Sequence, residues 1–240
     1  MTASSKSRVV AVIQARLGST RFPRKALAQL DGRPLITHVI ERVKQVPAVD
    51  CIAVAVPTTD FALIRVLREC AVKIVLGPEH DVLQRFWMTA LVHRAEVIMR
   101  VTADCPLWSP AAGAGVLHAY LTDTEQRPFW SNDTQTTGWA DGTDVEVFSR
   151  DLLIRARHAR ATMSASDCEH VTTWMRRLLG KRCGIYQRMH DEASSIKLSV
   201  DTPEDLARVQ TLSPRVALIA NDPWGRPKPF DKDDYLAPSR

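Results

Sequence analysis

Apolar residues in the first half of the chain fall in short, dense runs, and stretches with helical spacing separate those runs. Val9 to Ile13 is the first run, apolar at every position. Runs of this kind suit strands covered on both faces, as in a parallel sheet. Pro34 to Val46 then carries Leu35, Ile36, Val39, Ile40 and Val43 at the spacing of one helix face. Cys51–Val56, Val72–Leu76 and Val97–Val101 repeat the strand pattern, and Phe61–Cys70 and Asp81–Arg94 the helical one. Gly77-Pro78 stops the third strand. The alternation predicts βαβ units with right-handed crossovers. The fold class is therefore α/β: a doubly wound, mainly parallel sheet with helices on both faces.

After Pro110 the rhythm loosens. A helix is predicted from about Ala111 to Leu121, a short strand at Phe129–Asn132, and a polar loop reaching Asp144. Val145–Phe148 reads as a strand, Arg150–Ala161 and Ser166–Leu179 as helices, and Ile185–Arg188 and Ile196–Ser199 as strands before a final helix from Pro203. Residues 1–220 form one domain on this reading. Residues 221–240, with four prolines and mixed charge, form a tail without an element of its own.

Composition is that of a soluble globular protein, 45% hydrophobic and 25% charged. The net charge of +5 favours anionic ligands. No dense Lys/Arg tract and no interleaving of basic and aromatic residues occurs, which argues against nucleic acid as a partner. No apolar stretch approaches the ~20 residues that span a bilayer, so no membrane partner is expected. Cys51, Cys70, Cys105, Cys168 and Cys183 are odd in number and widely spaced, with no secretory leader and no Cys-x-x-Cys pair. Reduced thiols, a cytoplasmic location and no structural zinc follow as expectations.

In an open parallel sheet, ligands sit beyond the carboxyl ends of the strands. The first exit is Gln-Ala-Arg-Leu-Gly-Ser-Thr-Arg-Phe-Pro-Arg-Lys at 14–25. Gly18 lets a ligand approach the backbone, Ser19 and Thr20 offer hydroxyls, and Arg16, Arg21, Arg24 and Lys25 supply charge. No acidic residue precedes Asp31. Four cations on one loop repel one another, and a bound anion relieves that repulsion. The loop matches neither the Walker pattern nor the dinucleotide fingerprint. It reads as a nucleoside triphosphate site of another kind, with a solvated basic face as the bland alternative.

A triphosphate normally arrives with Mg²⁺, which takes one or two carboxylates plus phosphate oxygens and water. Asp104 ends the fourth strand and Asp201 ends the last one. Asp104 could instead cap the turn before Pro106. Glu204 and Asp205, after Thr202-Pro203, read as helix-start residues. Asp144 and Glu146 alternate to one face of a strand and could grip a polar or cationic substrate or form a solvated sheet edge. Glu169-His170 could position a proton acceptor, although a lone His is more often structural.

Together these segments resemble the cytidylyltransferases of the spore-coat polysaccharide biosynthesis type. CMP-sialic acid and 3-deoxy-manno-octulosonate cytidylyltransferases are more distant relatives. The resemblance runs over residues 8–212 and rests on 14–25, Gly-Pro-Glu-His-Asp-Val-Leu-Gln-Arg-Phe at 77–86, Arg-Val-Thr-Ala-Asp-Cys-Pro-Leu at 100–107, Asp-Gly-Thr-Asp-Val-Glu-Val-Phe at 141–148, Glu-His-Val-Thr at 169–172 and Val-Asp-Thr-Pro-Glu-Asp-Leu at 200–206. It implies a Rossmann-like fold of the nucleotide-diphospho-sugar transferase type and transfer of CMP from CTP to an acceptor, with release of pyrophosphate. Arg16 and Lys25 would hold the triphosphate within a loop of Gln14, Ala15, Gly18, Ser19 and Thr20. Asp81 and Arg85 would lie on the nucleotide side, and Asp104 and Asp201 would hold Mg²⁺. Asp144, Glu146, Glu169 and His170 would line the acceptor pocket.

Three residues depart from the pattern: Arg24 stands where a glycine is usual, Thr143 replaces a leucine, and Cys168 replaces an arginine. The last two are expected in the acceptor pocket. An acceptor oxygen already anionic at pH 7 needs no general base, and no base is evident, which favours a sugar acid, phosphonate or alditol phosphate. A glycosyltransferase using a nucleotide sugar, a nucleotidyltransferase using another triphosphate and a non-catalytic binding subunit are the other readings. Oligomeric state is left open, a homodimer included.

Overall fold

The computed structural model describes residues 7–132, 138–187 and 196–220, the side chains of 213–220 excepted. The tail expected at 221–240 lies outside the described residues. Strand β1 (Val9–Gln14) leads through a one-turn 3-10 helix at Lys25–Leu27 into a two-stranded ribbon, β2 (Gln29–Leu30) and β3 (Arg33–Pro34). Helix α1 (Leu35–Val43), β4 (Cys51–Pro57), α2 (Phe61–Leu67), β5 (Lys73–Gly77), α3 (Val82–Val92), β6 (Val97–Thr102) and α4 (Pro110–Thr122) follow. The second half holds β7 (Phe129–Ser131), β8 (Glu146–Ser149), α5 (Arg150–Ala159), α6 (Ala165–His170), α7 (Thr173–Leu179), β9 (Gly184–Ile185) and α8 (Pro203–Ala220).

The strands form a sheet in the order β5-β4-β1-β6-β8-β7-β9. β5, β4, β1 and β6 pair in parallel, while β8 runs antiparallel between β6 and β7. The chain steps outward from β1 to β4 and β5, then returns to the other side of β1 as β6. That reversal opens a crevice at the carboxyl ends of β1 and β6, the usual ligand position in such sheets. Register places Gln14 beside Thr102 and Arg100 beside Glu146. The antiparallel sense of β8 therefore brings its first residue to the same edge as the last residues of β1 and β6.

Alternation along β1 feeds two cores. Val9, Ala11 and Ile13 pack with Ile36, Val39 and Ile40 of α1, and Val10 and Val12 with Leu83 and Phe86 of α3 and Leu152 and Leu153 of α5. A third cluster of Leu30, Leu35, Leu107, Ala140, Leu198, Val200 and Val209 lies beneath the crevice and ties α8 to it.

Two expectations are corrected. The segment predicted as a strand at Ile196–Ser199 makes only an isolated bridge, Asp141 with Lys197. Lys197 pairs with Asp205 of α8, Ser199 donates to Asp141 and Asp201 accepts from Lys25, so these side chains bind neighbouring segments rather than line a sheet face. The single helix predicted over Ser166–Leu179 is broken at Val171, whose φ of 60° and ψ of −55° form a positive-φ γ-turn. The turn is closed by Thr172 N–H donating to His170 O at 2.6 Å. Of the strand predicted at Ile185–Arg188, β9 covers Ile185, and Arg188 lies outside the described residues.

Candidate active site

Backbone hydrogen bonds fix the cationic loop at the crevice. Ala103 N–H donates to Gln14 O at 3.1 Å, joining the ends of β6 and β1, and Leu17 N–H donates to Asp60 Oδ2 at 2.7 Å. Burial raises the Asp60 pKa, while the hydrogen bond from Leu17 opposes the rise. Arg24 then adopts a left-handed conformation, φ 61° and ψ 23°, and turns the chain into the short helix that begins with Lys25. A glycine enters that region without the Cβ clash that Arg24 accepts, which gives a physical reason for glycine at this point of the motif.

On the other wall, Gly142 allows a close approach. Its φ is +94°, and a Cβ there would stand 2.5 Å from the Ser199 nitrogen. Asp141 N–H donates to Ile196 O and Leu198 N–H to Asp141 O. Val200 N–H donates to Asp104 O at 2.8 Å, so the segment before α8 lies directly against the end of β6. Asp205 accepts from the Asp201 and Thr202 backbones and from Lys197, which fixes the turn into α8.

Asp104 and Asp201 thereby meet at one point. Lys25 Nζ donates to Asp104 Oδ2 at 2.8 Å, Asp201 Oδ1 at 3.1 Å and Val200 O at 3.1 Å. Burial works against the Lys25 ammonium, but the two carboxylates outweigh it and raise its pKa. Burial likewise opposes charge on Asp104, and Lys25 more than compensates, leaving that carboxyl below its ordinary value. Arg21 reaches Asp201 at 3.0 Å, and Arg16 pairs with Glu169 across the opening at 2.5 Å.

Gln14, Ala15, Arg16, Ser19, Thr20, Lys25, Asp104, Glu169, His170 and Asp201 line a cavity of about 320 Å³. Gly18 lies in the same loop without lining it. Arg100, Thr102, Asp104 and Asp201 also border a second compartment of about 300 Å³, which Asn132, Asp141, Asp144, Glu146, Arg176 and Ser199 complete. Two cavities sharing one wall of two aspartates suit two reactants that meet there.

Glu169 and His170, expected in the acceptor pocket, line the first cavity instead, whereas Asp144 borders the second. Glu146 borders the second compartment but is 7% exposed. It binds Arg100 at 2.5 Å and Arg176 at 3.0 Å and accepts from Thr172 at 2.9 Å. Burial would raise its pKa, and the two guanidinium groups hold it below the usual carboxylate range instead. Arg100 donates in turn to Gln14 Oε1. Glu146 therefore holds the walls of both cavities.

Asp81 and Arg85 line neither cavity. Asp81 caps α3 through Gln84 N–H and pairs with Arg160. Arg85 is fully buried beneath the 77–79 turn and donates to Pro78 O and Glu79 O. Its pKa falls to about 10, mainly through burial, with Arg16 nearby adding repulsion. Thr143 and Cys168 also leave the expected acceptor pocket. Thr143 is buried and donates to Ala140 O, and Cys168 is buried close to Asp81 and Arg160.

Sequence reasoning did not single out Arg100, Asn132, Asp141, Arg176 or Ser199. Arg100 carried a readable signal, since a cation inside an otherwise apolar buried strand needs a partner. The others depend on contacts far apart in the chain.

With the geometry in place, comparison with known proteins decides the family. The sequence model described as cytidylyltransferase matches residues 10–222. The chain belongs to the cytidylyltransferase family. This nucleotidyltransferase is 40% identical over 237 residues to the 3-deoxy-manno-octulosonate cytidylyltransferase of Anaeromyxobacter dehalogenans, spanning 85% of this chain and 97% of that one. It is 26% identical to the spore coat polysaccharide biosynthesis protein SpsF of Bacillus subtilis, over 85% of each chain. A solved cytidylyltransferase from Leptospira borgpetersenii superposes with a TM-score of 0.80, covering 94% of this chain and 99% of that one at 22% identity. The fold is thus that of the cytidylyltransferases. No helix among the described residues is long and apolar enough to cross a membrane.

Proposed function

We propose that this cytidylyltransferase transfers CMP from CTP to an anionic polyhydroxy acceptor and releases pyrophosphate. The observation that carries the reading is the convergence of Lys25, Asp104 and Asp201 where β1 and β6 end, with Arg16 at the same cavity. A polyhydroxy acceptor is supported by Asp141, Asp144 and Ser199 in the second compartment, which can bind hydroxyls. The Anaeromyxobacter relative carries the name of such a sugar acid.

The donor set fits Mg²⁺. Two carboxylate oxygens already converge on one cationic point, the Lys25 ammonium, and both are hard oxygen ligands. Among the described residues no three His, Cys, Asp or Glu side chains form a closed metal cage, and phosphate and water would fill the rest of the shell. Asp104 and Asp201 would hold the ion, which when bound polarises the phosphoryl oxygens and offsets their charge. Arg16 and Lys25 bind the triphosphate and stabilise charge building on the departing pyrophosphate. The loop backbone at 14–20 orients the nucleotide, and the shared aspartate wall places the acceptor oxygen opposite the leaving group. An acceptor oxygen ionised at pH 7 attacks without a general base.

The test is pyrophosphate release measured with each nucleoside triphosphate against sugar acids, phosphonates, alditol phosphates and neutral sugars. CTP with an acidic acceptor is expected to give turnover. Turnover confined to neutral alcohols overturns the acceptor class, and turnover with another triphosphate in preference to CTP overturns the donor.

A further inference from the structure

Lys25 is held in a way that conflicts with gripping a phosphate. An ammonium has three donors, and here they go to Asp104 Oδ2, Asp201 Oδ1 and Val200 O. No proton is left for a ligand. The two carboxylates that face Lys25 are also those that would hold a divalent cation. Arg21 adds a second cation to Asp201 Oδ1 at 3.0 Å, and Lys197 approaches Asp201 Oδ2 at 3.5 Å. Across the opening, Glu169 engages Arg16 in the same manner. The charged groups proposed for the metal–nucleotide pair, Arg16, Lys25, Asp104 and Asp201, are thus each engaged with a group of opposite charge from the same site.

We propose that Lys25 is a resident stand-in for the divalent cation, closing the Asp104–Asp201 pair to free metal until a triphosphate draws the ammonium away. The inference rests on the nucleotidyl-transfer reading of this site. The ammonium is tethered to the loop, so its local concentration at the aspartates is high, and free metal competes against it. A metal that displaced it alone would leave the partly buried Lys25 ammonium without a counter-charge, which is costly. A triphosphate removes that cost. It offers phosphate oxygens to Lys25, Arg21 and Arg16 as the carboxylates are released. Metal and nucleotide therefore enter in one exchange of ion pairs, and the aspartates are not loaded with metal while the nucleotide cavity is vacant.

The test uses Mn²⁺ as the probe, with bound and free ion distinguished by electron paramagnetic resonance in the absence of turnover. Without nucleotide, Lys25→Met is expected to bind Mn²⁺ at least about tenfold more tightly than the wild type, the effect of removing a competing buried cation. Lys25→Gln keeps hydrogen-bonding capacity without charge and is expected to show the same gain. Adding Asp104→Asn to Lys25→Met should abolish it. Arg21→Ala should give a smaller gain, because Arg21 pairs with one of the two aspartates, Asp201, and its side chain is 66% exposed. Folded Lys25→Met and Lys25→Gln proteins that bind free Mn²⁺ no better than the wild type overturn the proposal. So does wild-type protein that takes up Mn²⁺ as tightly without CTP as with it, a result that requires no variant to fold. Wild type that does not bind Mn²⁺ with CTP overturns the nucleotide reading itself. Wild type that binds the pair, with no gain in the variants, overturns only the role of Lys25.

Discussion

At the scale of single residues, the site is a set of charges that would repel if left alone. Lys25 pairs with two aspartates, and without it Asp104 would lose its ion pair while Asp201 would keep Arg21 and Lys197. Lys25→Ala and Asp104→Asn should each lower kcat more than about 100-fold, the cost of losing one preorganised stabilising group. Steady-state assay with CTP checks this, and near-wild-type turnover in either variant removes that residue from the mechanism. Much of this scale was legible in the sequence. Cations on a loop without nearby acids, and Asp104 just beyond β6, were recognisable because strand exits are predictable places, whereas Asp201 was read from a strand that does not form. The partners of those charges were not, since Arg16 meets Glu169, and Lys25 meets Asp201, across more than half the chain. Asp81 and Arg85 line neither cavity. Their residue types suit phosphate binding, but Asp81 is taken up by capping α3 and Arg85 by holding the turn before it. Glu146 alternated to the expected face, yet its burial between Arg100 and Arg176 depends on α7 folding back over β8.

At the scale of elements, the parallel strands were read well because burial on both faces makes them continuously apolar. Later elements were read less well. The segment at Ile196–Ser199 is apolar enough for a strand, but its backbone pairs only with Asp141. The helix break at Val171 has no breaker residue, and a β-branched residue at positive φ is rare. Such strain costs about 1–3 kcal/mol and persists only where the surroundings enforce it. Here the Thr172 hydroxyl donates to Glu146, and Glu169 and His170 sit at the cavity just before the turn. The Asp31-Gly32 turn of the β2–β3 ribbon went unremarked, although two positive φ values there are typical of such dipeptides. Gly142 is the point of closest approach between the two walls' segments, because only a residue without Cβ fits beside Ser199. Gly142→Ala should destabilise the fold by about 1–3 kcal/mol and lower activity by moving Asp201 away from Asp104. Thermal melting and steady-state rates check this, and an unchanged melting temperature contradicts the packing described.

At the scale of the whole molecule, the sheet reversal between β1 and β6 creates the crevice, and β8 and the 196–201 segment wall it. The fold class was accessible from periodicity alone, whereas the antiparallel placement of β8 was not. Stability should depend on acid pH through carboxylates held below their ordinary values. Hydrogen bonds from Arg177 bring Asp167 down to about 2. Asp205, held mainly by Lys197 and Arg208 against its burial, and Glu146 and Asp104 are shifted the same way. A carboxyl with a lower pKa folded than unfolded stabilises the fold above its unfolded pKa, and that contribution fades as pH falls through the folded value. Asp60, raised by burial, opposes the trend. The melting temperature should therefore fall steadily between pH 4 and about 2, beginning near the unfolded carboxylate range. A flat or rising profile there would contradict these ion pairs. The most direct measurement of the central claim is a crystal structure with CTP and Mn²⁺. It should show the triphosphate against Arg16 and Lys25, with anomalous density for the metal between Asp104 and Asp201. Nucleotide density elsewhere, or metal bound away from both aspartates, would contradict the account.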